Sequence, residues 1–326
     1  MTENKKIAVI TSGGDAPGMN AAVRSVVRTA IDLGAEVYGV KRGYAGLIEG
    51  DLTLLKERDV SGTIQLGGTF LGTARSEEFK KADNQKQCVE NLKTQGINGI
   101  IVIGGNGSQA GAHALNELGL DVMGVASTVD NDLFGTDISI GADTALNTIV
   151  ESIDKIKTTA RSHQRAFLIE VMGRRYGYLA LMAGIAGGAE LVVTPEFEIE
   201  PADVAKGLLK AYEDGKQFAI VLVTDGAKNN AEKIAAYFKK HQKEIGYELR
   251  ITILGHVQRG GSPSVFDRLL ATRLGAEATK ALIEGESGKL AGWCKGEICL
   301  TPLKEIVGKS KELDMGMWEL GKILAK

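Results

Sequence analysis

The chain has 326 residues, 44% hydrophobic and 25% charged, without a long Pro, Ser or Gln tract; this excludes a disordered or fibrous protein and leaves room for two α/β domains of roughly 100–200 residues each, with a cleft between them. A formal net charge of −2 provides no global positive field for nucleic acid or an acidic membrane, so an anionic ligand must be held by locally placed Arg and Lys. Cys88, Cys294 and Cys299 are odd in number and lack paired CxxC spacing, which argues against a disulfide framework and a zinc site, and no apolar run reaches the roughly 20 residues of a membrane span.

The opening MTENKK leads straight into a strand-like run at 6–11, without an apolar signal segment, so an untargeted, soluble cytoplasmic protein is expected. The glycine-rich residues 13–20, GGDAPGMN, follow, and helical periodicity runs over 19–33, closed by Gly34, with Pro17 where a helix start tolerates it. Such a junction can cradle a phosphate, because glycine lets the backbone approach and the helix presents unpaired N–H groups at its positive end. A plain tight turn accounts for the same residues. A second strand-like run at 99–103 leads into GGNGS at 104–108 and a helix from about 108 to 118. Two such loops on one chain point to a polyphosphate ligand.

The run at 122–125 ends in TVDND at 128–132, which places two carboxylates two residues apart. One can accept a proton while the other orients a hydroxyl or a metal, although a solvated turn has the same composition. Beyond a helix at 144–160, the run at 166–171 starts beside Arg165 and ends in Met172, Gly173 and Arg174. A helix at 203–213, stopped by Gly215, precedes the run at 218–223 and its TDGA end; the run at 249–254 carries Arg250 at its start and GHVQRGG after it; a last helix spans 267–284, with Gly285 as its stop. Four guanidiniums, those of Arg165, Arg174, Arg250 and Arg259, and the His256 imidazole are expected to converge on a sugar phosphate, arginine being the preferred fork for that group. Surface ion pairs are the ordinary alternative, and His113 and His163 read as solvated or capping residues. Continuous apolar runs alternating with helices predict a doubly wound α/β fold whose parallel strands are buried on both faces. Polar or glycine-rich motifs at six strand ends predict an extended two-substrate site.

Seven segments in order, GGDAPGMN, GGTFLGTAR, GG-x-GS, T-x-DND, SHQR, MGR and GHVQRGGSP, resemble the bacterial-type 6-phosphofructokinase family over nearly the whole chain. The resemblance implies two Rossmann-like three-layer domains with mainly parallel sheets, residues 1–141 plus 258–307 binding nucleotide and 142–257 plus 308–326 binding sugar phosphate, in a homotetramer. It implies ATP- and Mg2+-dependent phosphorylation of D-fructose 6-phosphate to fructose 1,6-bisphosphate, a step of glycolysis. The nucleotide side carries over to Gly14, Tyr44, Arg75, Ser76, Gly105, Asn106, Gly107, Ser108 and Gly111. Asp130 matches the catalytic base, with Thr128 and Asp132 as its partners, while the Gly14 N–H, Arg75 and Arg174 spread charge. The sugar side carries over to Met172, Gly173, Arg174, Asp225, His256 and Arg259, with Arg165 and Arg250 reaching in from a neighbouring subunit. ADP or phosphoenolpyruvate as effectors would meet Arg24, Arg28, Lys157, Glu190 and Lys216.

Some positions depart from the family's pattern. Asn106 stands where an Asp is tied to Mg2+, and a neutral amide oxygen holds a hard cation less firmly; weaker Mg2+ dependence or lower turnover is the expectation. Gly107 and Ser127 favour ATP over pyrophosphate, since pyrophosphate-using relatives carry Asp and Lys there. Ser76 and Glu77 replace an aromatic and a proline beside the adenine, and Asp225 replaces a longer Glu at the sugar hydroxyls. Acidic Glu57 and Asp214, together with Gly62, Lys157 and Phe218, predict blunted or altered effector control. A catalytically weak or regulatory paralogue, or a kinase using pyrophosphate or another sugar phosphate, is the alternative reading.

Overall fold

The computed structural model describes residues 5–241 and 247–325. In chain order the elements are β1 (Lys6–Ser12), α1 (Met19–Asp32), β2 (Glu36–Val40), α2 (Gly43–Glu49), β3 (Leu52–Leu55), α3 (Ala82–Lys93), β4 (Gly99–Gly104), α4 (Asn106–Glu117), β5 (Asp121–Ala126), α5 (Ala142–His163), β6 (Ala166–Val171), α6 (Tyr178–Ala186), β7 (Leu191–Val193), α7 (Pro201–Glu213), β8 (Ala219–Thr224), α8 (Ala231–His241), β9 (Leu249–Ile253), α9 (Val265–Glu284), β10 (Lys289–Cys294), β11 (Glu297–Pro302) and α10 (Met315–Leu324). The chain divides into two compact units: one runs to Val129 and takes in Leu133–Thr144 and Arg259–Ser310, the other comprises Asp130–Asp132, Ala145–Gln258 and Lys311–Lys326. The triplet Asp130–Asp132 thus belongs with the second unit, although it directly follows a strand-end loop of the first.

Among the described residues the first unit holds a seven-stranded sheet in the order β11-β10-β5-β4-β1-β2-β3. Its five central strands are parallel, and β3 and β11 run antiparallel at the edges. Every residue of β4 is buried, which explains its unbroken apolar sequence: helices cover both faces and no position turns to water. The second unit carries a parallel sheet in the order β7-β8-β6-β9. Its core joins Leu168, Val221 and Val223 of the sheet to Val204 and Leu208 of α7 and to Ile234 and Phe238 of α8. Burial on both faces fails at β9, the sheet's edge, where Ile251 and Ile253 are 43% and 62% exposed. This is an α/β architecture of mainly parallel sheets.

Local chemistry sets the helix ends. Gly34, Gly215 and Gly285 all have left-handed φ, at 78°, 85° and 96°, as helix stops require. Pro17 lies outside its helix: the first helical residue is Met19 and left-handed Gly18 is the cap, so the proline shapes the approach and does not start the helix. Cysteine parity also misled. Cys294 and Cys299 are joined by a disulfide, because the β10–β11 hairpin brings their Cα atoms to 5.8 Å, within bonding reach. Cys88 is buried and free, its thiol pushed up to about 12 by burial. No helix among the described residues is long and apolar enough to cross a membrane.

Candidate active site

The first unit collects three glycine-bearing loops. After β1 the chain passes Gly13, with φ 85°, and the Thr73 hydroxyl donates to the Gly13 carbonyl at 2.8 Å. The Asn20 side chain accepts from Phe70 N at 2.9 Å and donates to the Leu66 and Gly67 carbonyls, each at 3.1 Å. Residues 66–73 are thereby strapped to the loop that opens α1. After β4, Ser108 Oγ lies 2.5 Å and 3.1 Å from where side chains on Gly104 and Gly13 would begin, so close approach demands glycine in both loops. Arg259 Nη1 donates to the Asp15 carbonyl at 2.9 Å, and its guanidinium packs against Gly14, where a Cβ would stand 2.2 Å from Nη1. Neither α1 nor α4 has a side-chain cap at its first turn, and such N–H groups suit phosphate oxygens.

Tyr44 lies beneath this loop system. It is 5% exposed, its ring stacks on Phe79 at 3.9 Å between centroids, and its hydroxyl donates to the Ser108 carbonyl at 2.7 Å. Burial raises its phenol pKa well above the usual value. A Cβ on Gly111 would be 2.7 Å from that ring, so glycine there is a packing requirement. Ser76 Oγ accepts from Phe79 N at 3.2 Å, which commits it to the local turn, while Arg75 and Asn106 are exposed. Thr128 sits beside the second loop, its Cβ 3.3 Å from where a Cβ on Gly105 would stand.

The second unit gathers Asp130, Arg174, Asp225 and Gln258. Asp130 is only 3% exposed, and its Oδ2 lies 3.8 Å from Arg174 Nε. Asn131 and Arg174 take left-handed φ of 52° and 53°, a strain of about 1–3 kcal/mol for each non-glycine residue that only an enforcing environment maintains. Met172 N donates to Gln258 Oε1 at 3.1 Å, and the buried Gln258 returns a bond to the Gly255 carbonyl at 2.8 Å. Arg174 N donates to Asp225 Oδ1 at 2.8 Å. His256 is exposed on the turn after β9.

Within the second unit Arg165, Arg174 and Arg250 do not converge. Arg165 and Arg250 lie at the starts of β6 and β9, where they share the Glu248 carboxylate at 2.6 and 2.5 Å. Arg174 follows the far end of β6, about 20 Å away at ~3.3 Å per strand residue. Arg259 is bound to the loop of the first unit. The effector set draws on both units. Arg24 and Arg28 share a face of α1, where burial and then Arg28 lower the Arg24 pKa, and Arg28 reaches Ser61 Oγ at 3.5 Å. In the second unit Lys216 lies 3.7 Å from Glu190 and donates to the Ala325 carbonyl at 3.1 Å, Glu190 accepts from Ile220 N, and Lys157 is half-buried on α5.

Among the described residues no group of three or more His, Cys, Asp or Glu could hold a metal. The donor at the second loop is a single exposed amide, Asn106. This set does not fit a resident Mg2+ cage.

The sequence matches the family described as phosphofructokinase over residues 6–282. The chain belongs to the phosphofructokinase family. ATP-dependent 6-phosphofructokinase 1 of Thermus thermophilus is 50% identical over 323 residues, covering 98% of this chain and 99% of that protein. ATP-dependent 6-phosphofructokinase of Halothermothrix orenii is 47% identical over 330 residues, again covering 98% and 99%. The solved phosphofructokinase of Saccharomyces cerevisiae superposes with a TM-score of 0.85 at 40% identity, and the match covers 93% of this chain but 45% of that longer one.

Within this phosphofructokinase, the sequence reading missed the residues that hold the loops: Thr73, Phe79, Glu248 and Gln258. Gln258 stands inside GHVQRGG, and its place between His256 and Arg259 was the available signal. Glu248 had one too, a carboxylate two residues before Arg250. Phe79 had none, since its partner Tyr44 is 35 residues away in the sequence.

Proposed function

We propose that this phosphofructokinase transfers the γ-phosphoryl group of ATP to the 1-hydroxyl of D-fructose 6-phosphate, giving ADP and fructose 1,6-bisphosphate in glycolysis. One observation carries the assignment of the base: Asp130, nearly buried at a strand-end loop, faces the Arg174 guanidinium at 3.8 Å. The first unit is assigned to ATP, through the Gly14, Gly105 and Ser108 loops, Gly107, Gly111, Tyr44 and Arg75, with Asn106 offering its amide oxygen to the Mg2+ that the nucleotide brings. When bound, that cation would supply charge neutralisation on the phosphates. The second unit is assigned to the sugar phosphate, through Met172, Gly173, Arg174 and His256, with Thr128 and Asp132 flanking the base.

In the reaction the sugar oxygen bonds to the γ-phosphorus as its proton passes to Asp130, and the bond from phosphorus to the bridging oxygen breaks, releasing ADP. Arg174, Arg75 and the Gly14 N–H stabilise the charge on the phosphoryl group in flight, so positioning and electrostatics supply most of the acceleration. ATP is favoured over pyrophosphate because Gly107 and Ser127 lack the Asp and Lys that the family resemblance associates with pyrophosphate use; a Cβ at Gly107 would meet nothing within 4 Å, so packing does not demand that glycine. A cytoplasmic homotetramer with weakened response to ADP or phosphoenolpyruvate completes the reading.

A donor panel of ATP, GTP and pyrophosphate with fructose 6-phosphate, run across Mg2+ concentrations, tests it. ATP is expected to be the best donor, and Asp130→Ala to lower kcat by about 10²–10⁴-fold. Normal turnover of that variant would remove the base from the mechanism, and preference for pyrophosphate would overturn the donor assignment.

A further inference from the structure

Asp225 follows β8 directly, and its backbone N–H is held by the Val171 carbonyl at 2.8 Å. That places its side chain beside the loop that follows β6, where Oδ1 accepts the Arg174 backbone N–H at 2.8 Å. Arg174 needs such a hold, because its φ of 53° is left-handed and a residue with a side chain keeps that conformation only where its surroundings enforce it. Two glycines complete the enforcement. A Cβ on Gly226 would stand 1.5 Å from the Arg174 carbonyl oxygen, and a Cβ on Gly173 would stand 2.5 Å from the Tyr176 carbonyl oxygen and 2.7 Å from Thr224 Cγ2. The loops after β6 and β8 are therefore pressed backbone to backbone at Arg174, with Asp225 supplying the polar clamp. The outcome is the aim of the Arg174 side chain, whose Nε stands 3.8 Å from Asp130 Oδ2.

We propose that Asp225 is a positioning residue for phosphoryl transfer: it fixes the left-handed backbone of Arg174 and so aims that guanidinium at the Asp130 carboxylate. The inference rests on the functional reading above and moves the main task of Asp225 from the sugar hydroxyls to the loop. It also accounts for aspartate at a position where the family resemblance leads one to expect glutamate. The amide to be held lies beside the Asp225 backbone, and a side chain one methylene longer would carry its carboxylate past it.

The test measures kcat and sugar-phosphate KM for the purified full chain and for Asp225→Ala, Asp225→Asn, Arg174→Ala and the Asp225→Ala/Arg174→Ala pair, with ATP and fructose 6-phosphate as substrates. Asp225→Ala is expected to lower kcat by about 10²-fold, the effect of a small misplacement near the reacting atoms, with a smaller change in KM. Asp225→Asn keeps an oxygen for the same amide and recovers most of that loss. With Arg174 already replaced by alanine, removing Asp225 lowers kcat no further, since the two act as a unit. Additive losses in the double variant, an asparagine variant as poor as the alanine one, or an effect confined to KM would each overturn the inference. If the alanine chain does not fold, the asparagine chain still decides: a loss below about tenfold supports positioning, and a loss of about 10²-fold overturns it. A wild-type chain without turnover sinks the functional reading and this inference together, whereas wild-type turnover with an additive cycle sinks the inference alone.

Discussion

Asn106 occupies the first turn of α4, behind an extended Gly105 and without a side-chain cap. The helix dipole favours negative charge at that place by about 0.3–1 kcal/mol, and a carboxylate would also grip a nucleotide-borne Mg2+ more firmly than an amide does. Both arguments point the same way. Asn106→Asp is expected to raise kcat and to lower the Mg2+ concentration giving half-maximal rate, without loss of thermal stability. Titrating Mg2+ at saturating ATP checks it, and an unchanged kcat together with an unchanged Mg2+ response would show that the cation is held by the phosphates alone. At this scale the sequence shows which residue types carry chemistry but not which atoms they touch. Asp225 and Arg259 were legible as polar residues at strand ends; their attachments to the Arg174 amide and the Asp15 carbonyl depend on how loops far apart in sequence pack, and no local pattern encodes that.

The junction of α5 and α9 is the element whose stability depends most directly on one titrating group. Fully buried Asp267, in the first turn of α9, accepts from Gly141 N and Thr144 N at 2.8 Å each and from the Thr144 hydroxyl, so it caps the start of α5 as well. Ser264 closes the reciprocal link, accepting from Asp267 N at 3.1 Å and donating to Asp143. Burial pushes the Asp267 carboxyl up to about 6, against the opposing pull of those donors. Between about pH 4 and that value the native chain holds a proton that the unfolded chain has released. The stability this residue contributes is therefore present at the acid end and declines as pH rises towards 6, by about 1 kcal/mol per pH unit at most. Urea unfolding from pH 4 to 8 is expected to show this slope in the wild type and not in Asp267→Asn, which also loses about 1–3 kcal/mol by facing an amide nitrogen towards buried donors. A parallel pH profile in the two chains would assign the slope to other groups. Of the six strands that carry site loops, β1, β4, β5, β6 and β8 were legible because helices cover them and leave a largely apolar run, while the half-exposed edge strand β9 showed itself only as a short β-rich run before its glycine-rich end. The short or half-exposed β2, β3, β7, β10 and β11 carry no such run, and the disulfide followed from a hairpin that cysteine spacing alone does not reveal.

At the scale of the whole molecule the two ends of the second sheet pose one question: what do Arg165 and Arg250 serve? The strand between Arg165 and the Arg174 loop spans about 20 Å, more than a hexose phosphate bridges, and Glu248 binds the first two arginines to each other. If they hold a phosphate at all in this reaction, it is one bound to a second copy, across an interface at which each copy both lends and receives a pair. Arg250→Ala is then expected to raise the sugar-phosphate KM about 10- to 100-fold, the loss of a charged hydrogen-bonding fork, and Arg174→Ala to cut turnover. Neither chain is efficient alone. Co-expressing them gives assemblies in which some sites draw an intact Arg174 from one copy and an intact Arg250 from the next; random assortment makes about a quarter of all sites complete. Activity of the co-expressed mixture well above the mean of the two single variants, approaching that fraction of the wild type, is the expected result. A mixture no better than that mean would mean that each site is built from one chain, and Arg165 and Arg250 would then be a surface ion-pair cluster with no part in binding the sugar.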